Sequence, residues 1–205
     1  MKRLAVMVSG GGTDLQSVID GVEDGRIPAE IVVVIASKPG IYALERARKA
    51  GIPGTVICKK EYADEEAFFE ANLAALRQYG AEGVILAGYL SILGKRMIEA
   101  FPNKIINIHP SLIPSFCGKG YYGLKVHKAA LEYGVKVSGA TVHFVDEGAD
   151  TGPIIAQRSV PVLPGDTPET LQQRVLEVEH EILPEAVALF CQDRLKVQGR
   201  RVSIL

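Results

Sequence analysis

Leu4-Ala5-Val6-Met7-Val8-Ser9-Gly10-Gly11-Gly12-Thr13-Asp14-Leu15 runs from an apolar, partly β-branched stretch through three glycines into a segment of different period. So short a continuous apolar run reads as a strand buried on both faces, as in parallel sheets. Leu15, Val18, Ile19 and Val22 then recur at helical spacing and predict a helix over Thr13 to Glu23. A strand, a tight glycine turn and a helix together open a β-α-β unit.

The same alternation continues outward. Glu30 to Ala36 reads as a strand, and Ile41 to Ala50 as a helix closed by Gly51. A short strand over Thr55 to Ile57 precedes a helix over Asp64 to Tyr79, which Gly80 ends. Gly83 to Ala87 is another buried strand, Ile92 to Ala100 a helix stopped near Phe101-Pro102, and Lys104 to Ile108 a strand. This repetition predicts an α/β chain with a mainly parallel, doubly wound (Rossmann-like) sheet and helices on both faces.

Beyond the glycine-rich loop 115–122 the pattern changes. Gly123 to Tyr133 reads as helix, while Val137 to Val145 and Ile154 to Val162 are longer alternating strands expected to pair antiparallel. Thr167-Pro168-Glu169 supplies an N-cap, a proline at the first helical position and an acid in the first turn, opening a helix to about Cys191. Leu195 to Leu205 predicts a terminal hairpin around Gly199. No repeat, low-complexity tract or linker divides the 205 residues, so a single domain is expected.

Composition narrows the function. The chain is 47% hydrophobic and 23% charged, with a formal net charge of −1 and no dense Lys/Arg run, which argues against nucleic acid or an anionic membrane as main partner. The apolar run at the N-terminus is too short for a signal peptide, and no stretch approaches the roughly 18 apolar residues of a membrane span. Cys58, Cys117 and Cys191 are odd in number and lack CxxC spacing, so neither disulfides nor zinc are expected and a cytoplasmic location fits.

Ligands of doubly wound sheets bind beyond the carboxyl ends of the strands. Gly10-Gly11-Gly12-Thr13-Asp14 lies there, where backbone N–H groups and a helix N-terminus favour a phosphate. It is not a dinucleotide fingerprint, because no third glycine falls at the required position and the second strand ends in Ala36-Ser37-Lys38 without an acid. It is not a P-loop either, since G-K-[ST] is missing. Asn107 and His109 share a strand face and project together before Pro110. A carboxamide can donate to a developing oxyanion and an imidazole can move a proton near neutral pH. Asp150, in a Gly/Thr-rich loop, is the candidate to set the state of the imidazole. His143 reads as structural or supporting, and His127 as a solvated surface residue. Cys117 has no base at a sensible spacing and is discounted as a nucleophile.

Two separated segments, Asn107-Ile108-His109-Pro110-Ser111-Leu112-Ile113-Pro114 and Val142-His143-Phe144-Val145 with Asp150-Thr151-Gly152-Pro153-Ile154-Ile155, resemble the hallmark of the folate-dependent formyltransferase family. The resemblance extends from Leu4 to about Leu195. It implies the formyltransferase fold, with a phosphate-binding half over about 1–100 and a folate and catalytic half over about 101–205. It implies transfer of a formyl group from 10-formyltetrahydrofolate, as co-substrate, to the amine of a small phosphorylated acceptor. In the branch that the whole chain resembles, the acceptor is glycinamide ribonucleotide, an intermediate of purine synthesis. Asn107, His109 and Asp150 would be catalytic, with Asp150 raising the pKa of His109 by charge pairing. Gly11, Gly12, Thr13, Asp14 and Glu179 would hold the acceptor, although Asp14 stands where the family usually has Asn. Leu90, Ser91, Ile92 and Leu93, with Asn107, would meet the folate, and no metal is expected.

Two other readings compete. A formyltetrahydrofolate deformylase would use water in place of the amine, but that class carries an extra N-terminal regulatory domain for which a chain starting at its first strand leaves no room. A non-catalytic nucleotide- or folate-binding module would need only the glycine loop and crevice. A homodimer is left open.

Overall fold

The computed structural model describes residues 1–205. Nine strands form one sheet: β1 (Lys2–Val8), β2 (Ala29–Ala36), β3 (Gly54–Val56), β4 (Gly83–Leu86), β5 (Ile105–His109), β6 (Val137–Phe144), β7 (Ile154–Pro161), β8 (Leu195–Gln198) and β9 (Arg201–Ile204). Their order is β3-β2-β1-β4-β5-β6-β7-β9-β8. The strands β3, β2, β1, β4 and β5 are parallel, and β6 and β7 continue the sheet antiparallel, as the sequence pattern predicts. The C-terminal hairpin β8/β9 joins the sheet edge, with β9 running parallel to β7.

The helices are α1 (Thr13–Glu23), α2 (Tyr42–Lys49), α3 (Glu65–Gln78), α4 (Lys95–Ala100), α5 (Leu124–Tyr133) and α6 (Pro168–Cys191). Strand alternation divides the core. Leu4, Val6 and Val8 of β1 belong to a large cluster with α1, α2, α5 and α6, while Ala5 and Met7 face a smaller one with α3 and α4. On β5, Ile106 and Ile108 join the first cluster and Ile105 the second. Asn107 and His109 therefore continue the α3/α4 face toward the carboxyl end of the strand.

Helix ends follow the local chemistry. Asp64 caps α3 by accepting from the Ala67 N–H at 2.8 Å, and Thr167 and Thr170 form a reciprocal capping box at the start of α6. The largest boundary difference is at α4. The helix expected from Ile92 begins only at Lys95, with Gly94 as an extended N-cap. Residues 90–93 are instead irregular, leaving Leu90 and Ile92 exposed.

Phe68 is the largest fully buried side chain of the α3/α4 core, at 1% exposure. Truncation to Ala should cost about 3–5 kcal/mol in chemical denaturation, combining lost transfer energy with a cavity.

Candidate active site

The chain reverses its winding at β1. The first connections lead from β1 to β2 and β3, and the next returns to β4 on the other side of β1. A crevice opens at such a switch point, outside the carboxyl ends of the two strands. Ser9 stitches it from below, accepting from the Leu90 N–H at 2.9 Å and lying 2.7 Å from the Ser37 hydroxyl, which donates to it.

At one end of the crevice lies the glycine loop. Gly12 is the N-cap of α1 with φ +75°, and a Cβ there would stand 2.7 Å from the Ala43 Cβ, so both conformation and space require glycine. No side chain caps α1, which leaves its first-turn N–H groups free for an anion. Arg46 holds the loop in place, donating to the Gly11 carbonyl at 2.9 Å and to Gln16 at 3.0 Å. A polar pocket of about 310 Å³ adjoins it, with Thr13, Gln16, Asp20, Arg26, Arg46 and His180 among its lining residues. Sequence reading missed Arg46, because nothing in the helical pattern of α2 shows that one arginine reaches back to the loop.

Asp14 does not cap its helix. It turns toward α6, where its Oδ1 lies 3.7 Å from His180 Nε2. Glu179 is 4% exposed, so it belongs to this inner cluster and not to the solvated face of α6.

At the other end, β5 and β6 pair so that Asn107 lies opposite His143 and His109 opposite Thr141. Directly opposed residues share a sheet face. The Asn107 Nδ2 and His143 Nε2 are 3.1 Å apart, and His143 Nδ1 is 2.8 Å from the Phe144 carbonyl. The carbonyl can only accept, which assigns the His143 proton to Nδ1 and makes Nε2 the acceptor for Asn107. One Asn107 N–H is thereby fixed and the other remains available. His109 Nε2 likewise donates to the Phe116 carbonyl at 2.9 Å.

Asp150 arrives from the β6–β7 turn with φ +57° and bridges the two imidazoles. Its Oδ2 is 3.5 Å from His109 Nδ1, its Oδ1 is 3.7 Å from His143 Nε2, and its Oδ2 accepts from the Gly118 N–H at 2.8 Å. Both histidine distances exceed direct hydrogen bonds, so the coupling is through charge. Burial alone would push the Asp150 carboxyl up, but His143, the charge of His109 and the Gly118 N–H outweigh it and hold the carboxyl below its usual range. For His109 the balance goes the other way. Burial lowers its pKa, and the opposing pull of Asp150 and the Phe116 carbonyl does not overcome that. The net sign for His109 is corrected: Asp150 raises its pKa as expected, but desolvation is larger and the shift is downward.

His127 is also corrected. It is 1% exposed on the inner face of α5, not solvated, and burial and the nearby His109 push its pKa down to about 4. Cys117 lies beside this cluster, where burial and the Asp150 charge both push its thiol up, away from the thiolate.

The sheet with its switch-point crevice, the uncapped glycine turn and the amide–imidazole–carboxylate cluster define a class. Residues 2–187 match the family described as "Formyl transferase", and the chain belongs to it. It is 44% identical over 205 residues to the chloroplastic phosphoribosylglycinamide formyltransferase of Arabidopsis thaliana, spanning all of this chain and 70% of that protein. Its fold matches a crystal structure of glycinamide ribonucleotide transformylase 1 from Symbiobacterium toebii at a TM-score of 0.95 and 49% identity, covering 100% and 94% of the two chains. A formyltetrahydrofolate deformylase from Pseudomonas syringae matches at a TM-score of 0.89 but 28% identity, and this chain covers 66% of it. No helix is long and apolar enough to cross a membrane.

Proposed function

We propose that the crevice transfers the formyl group of 10-formyltetrahydrofolate to the terminal amine of glycinamide ribonucleotide, a step of purine biosynthesis. The activity is that of a phosphoribosylglycinamide formyltransferase, in keeping with relatives that it resembles over its whole length. The observation that carries the mechanism is the convergence of Asn107, His109 and Asp150 at one end of a crevice whose other end is an uncapped helix N-terminus.

In this reading Gly11, Gly12 and Thr13 hold the acceptor's phosphate through the first turn of α1, and Asp14 and Glu179 face the rest of the acceptor. The donor's pterin ring lies on residues 90–93, where the Leu90 and Ile92 side chains offer exposed apolar surface beside Ser91 and Leu93. The binding roles divide the chain into an acceptor-phosphate half, about 1–100, and a catalytic half, about 101–205, although residues 90–93 serve the donor from the first half and Glu179 the acceptor from the second.

The amine nitrogen attacks the formyl carbon, and the carbonyl π pair moves onto oxygen. The free Asn107 N–H donates to that oxyanion. The His109 N–H points at Phe116, so His109 contributes the charge of a nearby imidazolium. The developing oxyanion favours that protonated form against the effect of burial. The attacking nitrogen becomes cationic and loses a proton, which Asp150 relays through water to N10 as the C–N10 bond breaks. Neither a metal nor a covalent enzyme intermediate takes part.

The test is to follow 10-formyltetrahydrofolate consumption with and without glycinamide ribonucleotide, assaying formylated acceptor and formate. Acceptor-dependent loss with formylated product is expected. Acceptor-independent formate would make the protein a hydrolase, and no turnover would leave a binding module.

A further inference from the structure

We infer that His180 is a positioning residue for the acceptor's phosphate: its Nε2–H holds the Asp14 carboxylate against α6, off the cradle at the start of α1. The inference rests on the acceptor site assigned above and adds to it a residue that acts through Asp14.

Asp14 is the second residue of α1. A carboxylate in that turn competes with a phosphate for the same N–H groups and repels it. Here the carboxyl is turned off the helix end. Its side chain is 13% exposed, and Oδ1 is sealed from solvent with no hydrogen-bond partner in the protein. The helix α6 packs against α1, and its His180 carries the matching fault. His180 Nε2 is equally sealed and unpartnered, and it lies 3.7 Å from Asp14 Oδ1. A shift of about 0.8 Å would bring the two orphaned atoms to hydrogen-bond distance and satisfy both.

The other donors nearby are taken. Ser17 donates to the Asp14 main-chain carbonyl at 2.8 Å, and Gln16 to Asp20. Arg46 is committed to the Gly11 carbonyl and Gln16, and Arg26 to Asp24. Burial pushes Asp14 up to about 6, so it is ionised at pH 7.5. Burial, then the charge of Arg46, hold His180 below its ordinary value despite Asp20, so the imidazole is neutral there. A neutral imidazole carries one proton, and a carboxylate facing Nε2 assigns it to that nitrogen. The ring stands between the buried carboxyl and the polar pocket that it lines with Thr13. Without it, Asp14 has no donor on the α6 side and its charge returns to the first turn of α1.

The tautomer is read first without ligand, from the imidazole 15N resonances of His180 at pH 7.5. A protonated Nε2 is expected, and a bare one would overturn the inference even where no variant folds. Calorimetry at the same pH then gives the Kd of glycinamide ribonucleotide for the unaltered protein, His180→Leu and His180→Gln, and for each of these with Asp14→Asn. His180→Leu should weaken binding on the order of tenfold. His180→Gln, whose amide can set a donor where Nε2 stands, should restore most of that loss. With Asp14→Asn there is no charge to hold, so His180→Leu should change the Kd by less than about twofold. An equal loss in both backgrounds would make His180 a packing residue or a direct ligand of the acceptor, and would overturn the inference. Acceptor binding unmoved by His180→Leu would sink it alone. No acceptor binding by the unaltered protein would sink the functional reading and this inference with it.

Discussion

Asn107→Ala is expected to lower kcat on the order of 10²–10³-fold, as removal of one oxyanion donor does. The KM values should move far less, because the amide acts on charge that appears only in the transition state. One N–H is tied to His143 Nε2, and the Nδ1–H of His143 is tied to the Phe144 carbonyl, so the amide is oriented before any ligand arrives and its second N–H keeps no protein partner. Single-turnover kinetics with both substrates saturating would separate the chemical step from binding. Full activity in Asn107→Ala would remove the oxyanion assignment.

Gly152→Ala should have the second large effect, through backbone alone. A Cβ at this position would stand 1.7 Å from the Phe144 carbonyl oxygen and 2.7 Å from its carbon. Neither atom can rotate away, so the turn between β6 and β7 must open. Asp150 lies two residues earlier and would lose its place between the imidazoles. A displacement of about 1 Å from productive geometry costs on the order of 10²-fold in rate. Stability should fall by more than the roughly 0.5–3 kcal/mol of an ordinary substitution. Gly25→Ala is a fitting contrast: its φ is positive, at +81°, whereas Gly152 is not left-handed, and nothing lies within 4 Å of an added Cβ at Gly25. It should show only the strain of a left-handed residue, on the order of 1 kcal/mol, and unchanged turnover. Denaturant titration and kcat on both variants would distinguish a blocked turn from a strained one.

The parallel half of the sheet was legible because fully buried strands and amphipathic helices carry different periods, and glycines punctuate them. Asn107 and His109 were legible for a similar reason: a period of two places them on one face whatever the neighbours are. What sequence could not give was register and burial across elements. His143 becomes the partner of Asn107 only through the β5–β6 pairing. His127 looked solvated because α5 carries polar residues around it, yet its position faces inward. The sign of the His109 shift depended on comparing desolvation with a charge 3.5 Å away, and only the folded environment supplies both quantities. Residues 90–93 lie outside the helix because α4 begins only after the extended Gly94, a boundary that the apolar pattern alone does not mark.

The position of α6 has a consequence for how the molecule is made. Synthesis proceeds from the N-terminus, so the glycine turn, the switch point and the amide–imidazole pair on β5 emerge well before the helix that carries Glu179. A nascent chain that has not yet released α6 has its phosphate cradle but leaves one side of α1 uncovered and the acceptor end unfinished. On the proposed function, acceptor binding becomes competent last, and its onset would mark the docking of the final long helix onto the first.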